Sequence, residues 1–246
     1  MSRFLLSVIV PAYNEEARLA RTLSRLAEYY GAQDYSYEVI IVSDGSSDGT
    51  ISICEAFCAE HPEFRVVDSQ PNRGKGFVVR KGMLMAAGDY VLFCDADLAT
   101  PQEETAKLLP FALDGVPVVI GSRPLKESSL EIRQPWYREM LGRTFNGVVQ
   151  LLAIKGIADT QCGFKLFSRD ASREIFTRCD VDGFGFDLEC LLIARDLGYE
   201  IKEVPIRWMH QDGSKVNLVR DGLKMLRDLV QLRLKGKSGR TRVKVE

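Results

Sequence analysis

The sequence predicts an α/β fold in which a doubly wound, mostly parallel sheet carries helices on both faces. Strand-like and helix-like segments alternate through the first half, which is typical of βαβ units. Tyr90–Cys94 is an uninterrupted apolar run, as expected for a central strand that is buried on both faces. The chain has 246 residues, of which 46% are hydrophobic and 27% are charged. This composition is typical of a globular protein and argues against a disordered chain or a membrane bundle. We find no linker and expect one domain over 1-236, ending in a basic amphipathic helix at about 216-234, and a basic tail at 237-246.

The first half contains four predicted strands joined by three helices. The strands are Leu5–Pro11, Tyr37–Ser43, Phe64–Asp68 and Tyr90–Cys94. Asn14 and Asp48 precede the first two helices and suit their N-termini, because short polar side chains accept hydrogen bonds from free helical N–H groups. The third helix follows the turn Asn72–Gly76 and extends to Ala87.

The second half continues with mixed elements. A helix is expected after Pro101, followed by the strand Val116–Ile120, the helix Phe184–Leu197, the strand Tyr199–Trp208 and the helix Val216–Leu234. Pro135–Ile154 is amphipathic, and its apolar side suits either core packing or a membrane interface. We expect Asp159–Lys165 to lie outside the core, because it is polar and interrupted by glycine.

Two acidic residues, Asp95 and Asp97, directly follow the central strand. In open α/β sheets, ligands bind at the carboxyl ends of the strands. Ionised carboxylates this close repel each other, and a hard cation such as Mg²⁺ or Mn²⁺ relieves the repulsion while it binds phosphates. Taken alone, the two aspartates are also typical of a solvated acidic loop. The prediction of a metal site therefore depends on the residues at the neighbouring strand ends as well.

Other residues with suitable chemistry fall at the same predicted edge. Pro11, Tyr13 and Asp44 follow neighbouring strands, so one crevice could hold a nucleotide and its metal. Arg123 follows a further strand and suits an anion. Lys75 lies in a Gly-Lys-Gly turn that opens a helix, where free N–H groups could bind phosphate. That turn matches neither G-x-G-x-x-G nor the P-loop, and a simple turn also explains it.

Positive charge is concentrated at the C-terminal end. From Ser214 onward ten basic residues face three acidic ones, a net charge of +7; because the whole chain has a formal charge of -1, the remainder carries -8. A basic end suits an anionic partner such as lipid headgroups, although a solvated tail is the simpler explanation. Aromatic residues are not interleaved with these basic residues, so nucleic acid is not an expected partner.

Cysteine usage and hydropathy predict a cytoplasmic protein. The six cysteines show no zinc-type or redox C-x-x-C spacing, and several lie in apolar runs, so we expect reduced core residues. The apolar run Phe4–Val10 is too short for a signal peptide, and no run reaches the roughly 18 residues that a membrane span requires. Any membrane contact is therefore expected to be peripheral, on the cytosolic face.

Four motifs make the chain resemble the family 2 glycosyltransferases of the GT-A fold. They are VIVPAYNEE at Val8–Glu16, SDGSSDGT at Ser43–Thr50, NRGKG at Asn72–Gly76 and DAD at Asp95–Asp97. Within that family, KGIADTQCGFKLFSRDA, FGFDLE and DGSK are most similar to dolichyl-phosphate glucosyltransferases and next to dolichyl-phosphate mannose synthases. The resemblance implies an inverting, metal-dependent transfer of a hexose, glucose from UDP-glucose in the first instance, to a polyprenyl or dolichyl phosphate.

The resemblance also implies roles for individual residues. Asp95 and Asp97 would hold Mg²⁺ or Mn²⁺ on the donor diphosphate. Residues expected to bind the nucleotide sugar are Pro11, Tyr13, Glu15, Asp44, Lys75, Asp95 and Gln161. Residues expected to bind the acceptor phosphate are Arg123, Arg138, Ser214 and Lys215. Those expected to take part in catalysis are Asp97, Arg123, Arg138 and Asp187.

Two positions depart from the pattern of the family. Ser43 replaces the first aspartate of the usual DDGS run, which leaves Asp44 in place. Ala99 stands where mannose synthases often have a metal-binding glutamine, which favours the glucosyltransferase branch. The coordination position left open could be filled by water or by His210, although a surface histidine is as good an explanation of that residue.

The acceptor decides whether a general base is needed. A lipid phosphate, with a second pKa of about 6, is largely dianionic at neutral pH and needs no strong base. A hydroxyl acceptor does need one, for which Asp187 or Glu189 is the candidate, although both also suit a purely structural helix. Three alternatives therefore stay open: a mannose synthase-like enzyme using GDP-mannose, a soluble family 2 transferase with a hydroxyl acceptor, and a non-catalytic nucleotide-sugar-binding protein.

Overall fold

The computed structural model describes residues 4–132 and 156–209, together with residues 211, 222, 224, 225, 227, 228, 231 and 232. The predicted segment Pro135–Ile154 and the tail 237-246 lie outside the described residues. So do four residues considered above for the site, namely Arg138, His210, Ser214 and Lys215.

The first half alternates strands and helices in the predicted order. Its strands are β1 (Leu5–Ala12), β2 (Ser36–Ser43), β3 (Phe64–Asp68) and β4 (Tyr90–Cys94). Its helices are α1 (Leu19–Gly31), α2 (Thr50–Glu60) and α3 (Lys75–Met85).

The second half opens with a short 3-10 turn at Gln102–Glu104. The elements after it are α4 (Thr105–Leu113), β5 (Val118–Ser122), β6 (Ser129–Ile132), β7 (Phe164–Ser168), α5 (Arg169–Phe176), α6 (Phe186–Asp196), β8 (Ile201–Pro205) and β9 (Arg207–Met209).

The main sheet has seven strands in the order β3-β2-β1-β4-β7-β5-β8. All neighbouring strands pair in parallel except β7, which is antiparallel to both β4 and β5. From β1 the chain winds outward to β3 and then returns to the other side at β4, which creates the switch in strand order where ligands bind in such sheets. The predicted doubly wound, mostly parallel sheet is confirmed. A separate two-stranded sheet pairs β6 with β9 in parallel.

Helices cover both faces of this sheet, as predicted. Because side chains alternate along a strand, neighbouring residues of β1 enter different cores: Ile9 packs on one face and Val10 on the other. The core around Val10 includes Leu23 of α1, and residues of α2 and α4. The core around Ile9 includes Val79 of α3, and residues of α5 and α6.

The strand β7 corrects the expectation for Asp159–Lys165. That segment was expected outside the core, but Phe164 and Lys165 begin β7 and are each 1% exposed. A lysine is rarely buried without a partner. Lys165 is tolerated there because its ammonium group forms an ion pair with Asp187 and donates a hydrogen bond to the carbonyl oxygen of Cys162, at 2.6 Å.

Two further local predictions were wrong. Asn14 does not cap α1, which begins only at Leu19; it has a φ of 52° and its side chain accepts a hydrogen bond from the backbone N–H of Ser47. It therefore joins the loops that follow β1 and β2. The predicted strand Tyr199–Trp208 is instead two strands, because β8 pairs with β5 and β9 pairs with β6 in the second sheet.

The described residues of the predicted C-terminal helix are all helical between Gly222 and Leu232. Leu232 is 3% exposed within the core around Ile9, whereas Lys224 and Arg227 are exposed. The helix therefore packs one side on the domain and presents basic residues on the other. Within the described ranges we find no helix with the length and hydropathy of a membrane span.

Candidate active site

One edge of the main sheet collects the strand ends that the sequence analysis singled out. The carboxyl ends of β1, β2, β4 and β5 lie at this edge, together with the amino end of the antiparallel β7. Asp44, Asp95 and Arg123 each come directly after one of these strands. The predicted convergence of these three residues on one edge therefore agrees with the strand directions.

Asp95 lies at the centre of this edge. Its Oδ1 atom is 2.6 Å from the Nζ atom of Lys75, the first residue of α3. Its other oxygen lies against Gly163, so close that a Cβ atom built on that glycine would be 2.0 Å from Oδ2. Gly163 therefore allows the backbone just before β7 to pack closely against the Asp95 side chain.

Asp97 stands at the end of a tight turn. Its Oδ1 accepts a hydrogen bond from the backbone N–H of Ala99 at 2.9 Å, and Leu98 adopts a positive φ of 49°. The hydroxyl of Thr22 anchors the turn by donating to the carbonyl oxygen of Ala96 at 2.7 Å. Burial, and then the neighbouring Asp95, raise the pKa of Asp97 above its usual value.

Lys75 supplies a cation to these two carboxylates. Burial acts to lower its pKa, but the carboxylates of Asp95 and Asp187 outweigh burial and raise the pKa of Lys75, so it stays charged. The glycines beside it serve packing: a Cβ atom on Gly76 would lie 2.3 Å from the carbonyl oxygen of Val181. The carbonyl oxygen of Asp182 also accepts a hydrogen bond from the N–H of Phe77, at 3.2 Å. The start of α3 is thus occupied by a neighbouring loop, which explains the glycines without a phosphate.

Asp95 and Asp97 fit a Mg²⁺ or Mn²⁺ ion that keeps substrate phosphates and water among its ligands. Oδ1 of Asp95 is paired with the ammonium group of Lys75, and burial, followed by the neighbouring Asp95, raises the pKa of Asp97. Among the described residues, no group of three His, Cys, Asp or Glu side chains could hold a metal. A metal ion held by these two aspartates would need further ligands from outside this pair.

The loops after β1 and β2 are tied together beside this turn. The N–H of Glu15 donates to the hydroxyl of Thr50 at 2.7 Å, and its carboxylate is 2.8 Å from Arg18. Tyr13, at the end of β1, is 40% exposed. Pro11 is buried within β1 itself.

Asp44 is 4% exposed and organises the loop that leads to Lys75. Its carboxylate accepts hydrogen bonds from the backbone N–H groups of Arg73 and Gly74, both at 2.8 Å, and from the Asn72 amide at 3.0 Å. Ser43, the departure from the family pattern, is fully buried and donates to the Ser46 hydroxyl at 3.1 Å. The serine therefore stabilises the turn in which Asp44 lies.

Arg123 is held by a partner that the sequence analysis did not identify. Its Nε and Nη2 atoms donate to the two oxygens of Asp159, at 2.7 and 2.9 Å, and its N–H donates to Oδ2 at 3.1 Å. Asp159 is 4% exposed, and its loop is fixed by Glu203, which accepts from the backbone N–H groups of Ala158 and Asp159. Although burial acts in the opposite sense, Arg123 lowers the pKa of Asp159. The guanidinium group is thus charged and oriented at the end of β5.

Thr160 and Gln161 directly follow Asp159 in sequence and contain unused polar atoms. The Nε2 atom of Gln161 and the Oγ1 atom of Thr160 are buried and have no hydrogen-bond partner within the described structure. The backbone N–H of Gln161 donates to Asp159 at 3.2 Å. The polar composition of this segment was the signal that could have identified Asp159.

Asp187 lies beneath the edge, in the first turn of α6, and is 4% exposed. Its partner is the buried Lys165, whose pKa burial would lower but the carboxylate of Asp187 raises. Glu189, the other candidate base, accepts hydrogen bonds from the N–H groups of Asp180 and Val181 at 3.0 and 2.8 Å. Both carboxylates therefore contribute to the structure around α6.

The ionisation of Glu189 is expected to make the stability of the protein depend on pH. Burial raises its pKa to about 7, so ionising it in the folded protein costs free energy that ionisation in the unfolded chain does not. Stability from this group is present below about pH 4.5 and is lost as the pH rises to 7. The free energy of unfolding of Glu189→Gln is therefore expected to rise relative to that of wild type between pH 5 and pH 8, by about 3 kcal/mol. Denaturant unfolding at the two pH values measures this change. If the stability difference between Glu189→Gln and wild type is the same at pH 5 and pH 8, the prediction is wrong. Glu55→Gln, on the surface of α2, is the control.

Comparison with known proteins identifies related sequences. The sequence pattern described as glycosyl transferase family 2 matches residues 7–176. The dolichyl-phosphate beta-glucosyltransferase of Drosophila melanogaster is 40% identical over 92% of this chain and 74% of its own length. The dolichyl-phosphate beta-glucosyltransferase of Saccharomyces cerevisiae is 38% identical over 93% of this chain and 74% of its own length.

Solved structures share the architecture. Glucosyl-3-phosphoglycerate synthase from Mycobacterium tuberculosis, in complex with Mn²⁺, UDP-glucose and phosphoglyceric acid, superposes with a TM-score of 0.69 at 20% identity, over 94% of this chain and 80% of that chain. Mannosyl-3-phosphoglycerate synthase from Rubrobacter xylanophilus gives a TM-score of 0.69 at 18% identity, over 99% and 77%. These likenesses concern the fold alone. With the matched family pattern and the relatives above, they establish that this chain belongs to glycosyl transferase family 2 and has the GT-A fold.

Proposed function

We propose that this protein transfers glucose from UDP-glucose to a dolichyl or related polyprenyl phosphate, with inversion at the anomeric carbon. The observation that carries the proposal is the shared name of relatives from fly and yeast, both dolichyl-phosphate beta-glucosyltransferases, over more than nine-tenths of the chain. Asp95, Asp97 and Arg123 at one sheet edge supply the charges that such a reaction requires. The uridine nucleotide and the metal are part of the proposal.

For the donor, we propose that the nucleotide binds across the loops after β1 and β2. Tyr13 is exposed there and can stack on a base, and Glu15 and Asp44 are the acidic groups beside it, with Pro11 shaping the strand end. Asp44 also positions Lys75 through the loop that it binds. We assign the amide of Gln161, unpartnered in the described structure, to the sugar.

The metal site of the proposal consists of Asp95 and Asp97. When bound there, Mg²⁺ or Mn²⁺ neutralises charge on the diphosphate as the bond to the sugar breaks. Lys75 adds a fixed positive charge beside the same leaving group. The two aspartates contribute position, because their turn is anchored by Thr22 and by the Ala99 N–H.

For the acceptor, we propose that Arg123 orients the phosphate while Asp159 holds its guanidinium plane. A phosphate that is already dianionic attacks without a general base, so positioning supplies the main contribution of the protein. The ion pair of Asp187 with Lys165 favours this acceptor over a hydroxyl, because the carboxylate is buried and already occupied by Lys165 and so is poorly placed to take a proton from a substrate. The role proposed for Asp187 is to keep α6 and β7 together behind the site.

The test is product identification. The full chain is incubated with MgCl₂, either UDP-glucose or GDP-mannose, and either a short polyprenyl phosphate or the matching polyprenol, and the lipid products are identified by mass. We expect a hexosyl-phosphoryl lipid from UDP-glucose and polyprenyl phosphate. Product with GDP-mannose but not with UDP-glucose would favour the mannose synthase alternative. Product with polyprenol would favour a hydroxyl acceptor. Tight binding of UDP-glucose without any product would favour a binding protein.

Arg138, which lies outside the described residues, is proposed to bind the acceptor phosphate with Ser214 and Lys215. Arg138→Ala is expected to raise the KM for polyprenyl phosphate about tenfold or more while the KM for UDP-glucose changes little, because a lost charge-assisted contact affects the substrate that it binds. Arg21→Ala on the surface of α1 is the control. Equal effects on both KM values would place Arg138 elsewhere.

We also propose a peripheral contact with the cytosolic face of a membrane. Lys224 and Arg227 are exposed on the outer side of the C-terminal helix, which Leu232 anchors to the core. Lys224→Gln/Arg227→Gln is expected to reduce binding to vesicles that contain anionic lipid, by about 1 kcal/mol per charge removed. Arg21→Gln/Lys202→Gln removes the same charge from other surfaces and is expected to bind as wild type does. Equal binding of both double variants would contradict the contact.

A further inference from the structure

The ion pair of Lys75 with Asp95 places a cation on one of the two proposed metal ligands. The ammonium Nζ is 2.6 Å from Oδ1 of Asp95, while Oδ2 of Asp95 lies against the backbone of Gly163. One oxygen of this carboxylate is therefore already paired with a cation of the protein itself, and the other is closely packed. A divalent cation that used Asp95 would meet the positive charge of Lys75.

Several contacts hold Lys75 in this position. Its Nζ lies 5.3 Å from the centre of the Phe93 ring and 6.0 Å from that of Phe186, an arrangement in which aromatic rings attract a cation. Its backbone begins α3, which the loop at Asp182 fixes through the hydrogen bond to Phe77. The side chain is 23% exposed, so its charged end is within reach of a ligand. Lys75 is thus a built part of the edge.

A diphosphate changes the balance of charge at this edge. An isolated divalent cation is repelled by an adjacent ammonium group, and the repulsion is strong where water is partly excluded. Phosphate oxygens attract both cations, since they bind a metal and accept charge-assisted hydrogen bonds from lysine. The donor nucleotide can therefore give Lys75 a new partner at the moment when Asp95 turns to the metal.

We propose that Lys75 competes with the divalent metal for Asp95 and gives up that carboxylate only when the donor diphosphate is present. The inference rests on the proposed function, because it takes Asp95 and Asp97 as metal ligands. It makes metal and nucleotide binding cooperative, and by linkage each raises the affinity of the other by the same factor. The metal then enters the site together with the donor.

The experiment measures Mn²⁺ binding to the full chain from the electron paramagnetic resonance signal of free Mn²⁺, with MnCl₂ alone and with saturating UDP. Wild type is expected to bind Mn²⁺ about tenfold or more tightly with UDP than without it. Lys75→Met is expected to bind Mn²⁺ alone about tenfold more tightly than wild type does, with a smaller gain from UDP. Lys75→Gln repeats the test if the methionine variant fails to fold.

Two control variants isolate the charge of Lys75. Lys75→Arg keeps a cation at the position and is expected to keep the weak binding of Mn²⁺ alone. Lys81→Met removes another lysine of the same helix, one that forms no ion pair with the described residues, and is expected to behave as wild type does.

The outcomes separate this inference from the proposed function. In one outcome, wild type and Lys75→Met bind Mn²⁺ with equal affinity, and Asp97→Ala abolishes that binding in both. This result would overturn the competition but would still support the metal site. Mn²⁺ binding that Asp97→Ala does not change, or no Mn²⁺ binding even with UDP, would overturn the metal site itself. Tighter binding in Lys75→Met that disappears with Asp97→Ala supports both.

Discussion

Asp97→Ala is expected to lower kcat of the glucosyl transfer by at least about 10²-fold while the protein keeps its fold. The side chain accepts one local hydrogen bond, from the Ala99 N–H, so its removal leaves the turn anchored by Thr22 and Ala96. What it removes is a carboxylate in a crowded acidic pair, where burial and Asp95 already disfavour its charge. The loss is therefore expected to affect metal-dependent turnover far more than the fold.

Initial rates with increasing MgCl₂ measure this prediction. We expect the variant to remain slow at every metal concentration and the circular dichroism spectrum to match wild type. Asp114→Ala, an exposed residue at the end of α4, is the matched control and should retain full turnover. Wild-type kcat in Asp97→Ala would refute the metal assignment.

Asp159→Ala is expected to lose about 3 kcal/mol of unfolding free energy, the largest stability effect that we predict at the site. The carboxylate is 4% exposed and accepts three hydrogen bonds from Arg123, whose guanidinium group would be left without its partner. Denaturant unfolding measures the change. Arg25→Ala, which breaks an exposed pair with Glu103 at 3.9 Å, is the control and should cost less than about 1 kcal/mol.

A double variant separates stability from activity. Arg123→Met/Asp159→Leu removes both charges, so it is expected to recover much of the lost stability, because replacing a buried pair by apolar groups costs less than breaking it. Turnover should stay low, since no guanidinium group remains for the acceptor phosphate. Full activity of the double variant would show that Arg123 is not needed for turnover. If the stability loss of the double variant equals the sum of the losses of the two single variants, the two residues are not coupled.

Local patterns were sufficient to place several candidate site residues at one edge of the sheet. The apolar run of β4 ends abruptly at Asp95, and the parallel direction of β1, β2 and β4 followed from the alternation of strands and helices. Each of these signals lies within a few residues. That is why the strand ends at Asp44, Asp95 and Arg123 could be placed on one edge before the structure was known.

Contacts between distant parts of the chain could not be predicted in this way. The strand β7 is short, carries a buried lysine and pairs with β4 residues about 70 positions earlier, so neither its length nor its polarity indicated a central strand. Asp159 is 36 positions from Arg123, and although its segment is polar, nothing local indicates that it pairs with Arg123. The ion pair of Lys75 with Asp95 was likewise visible only once α3 and β4 were packed.

Crystals grown with UDP and MnCl₂ test the central claim most directly, because Mn²⁺ can be located by its anomalous scattering. We predict one strong peak within bonding distance of an Asp97 oxygen, with phosphate oxygens of UDP on its other side and Arg123 facing the same cavity. A peak elsewhere on the protein, or UDP bound at this edge with no metal near Asp95 and Asp97, would contradict the account.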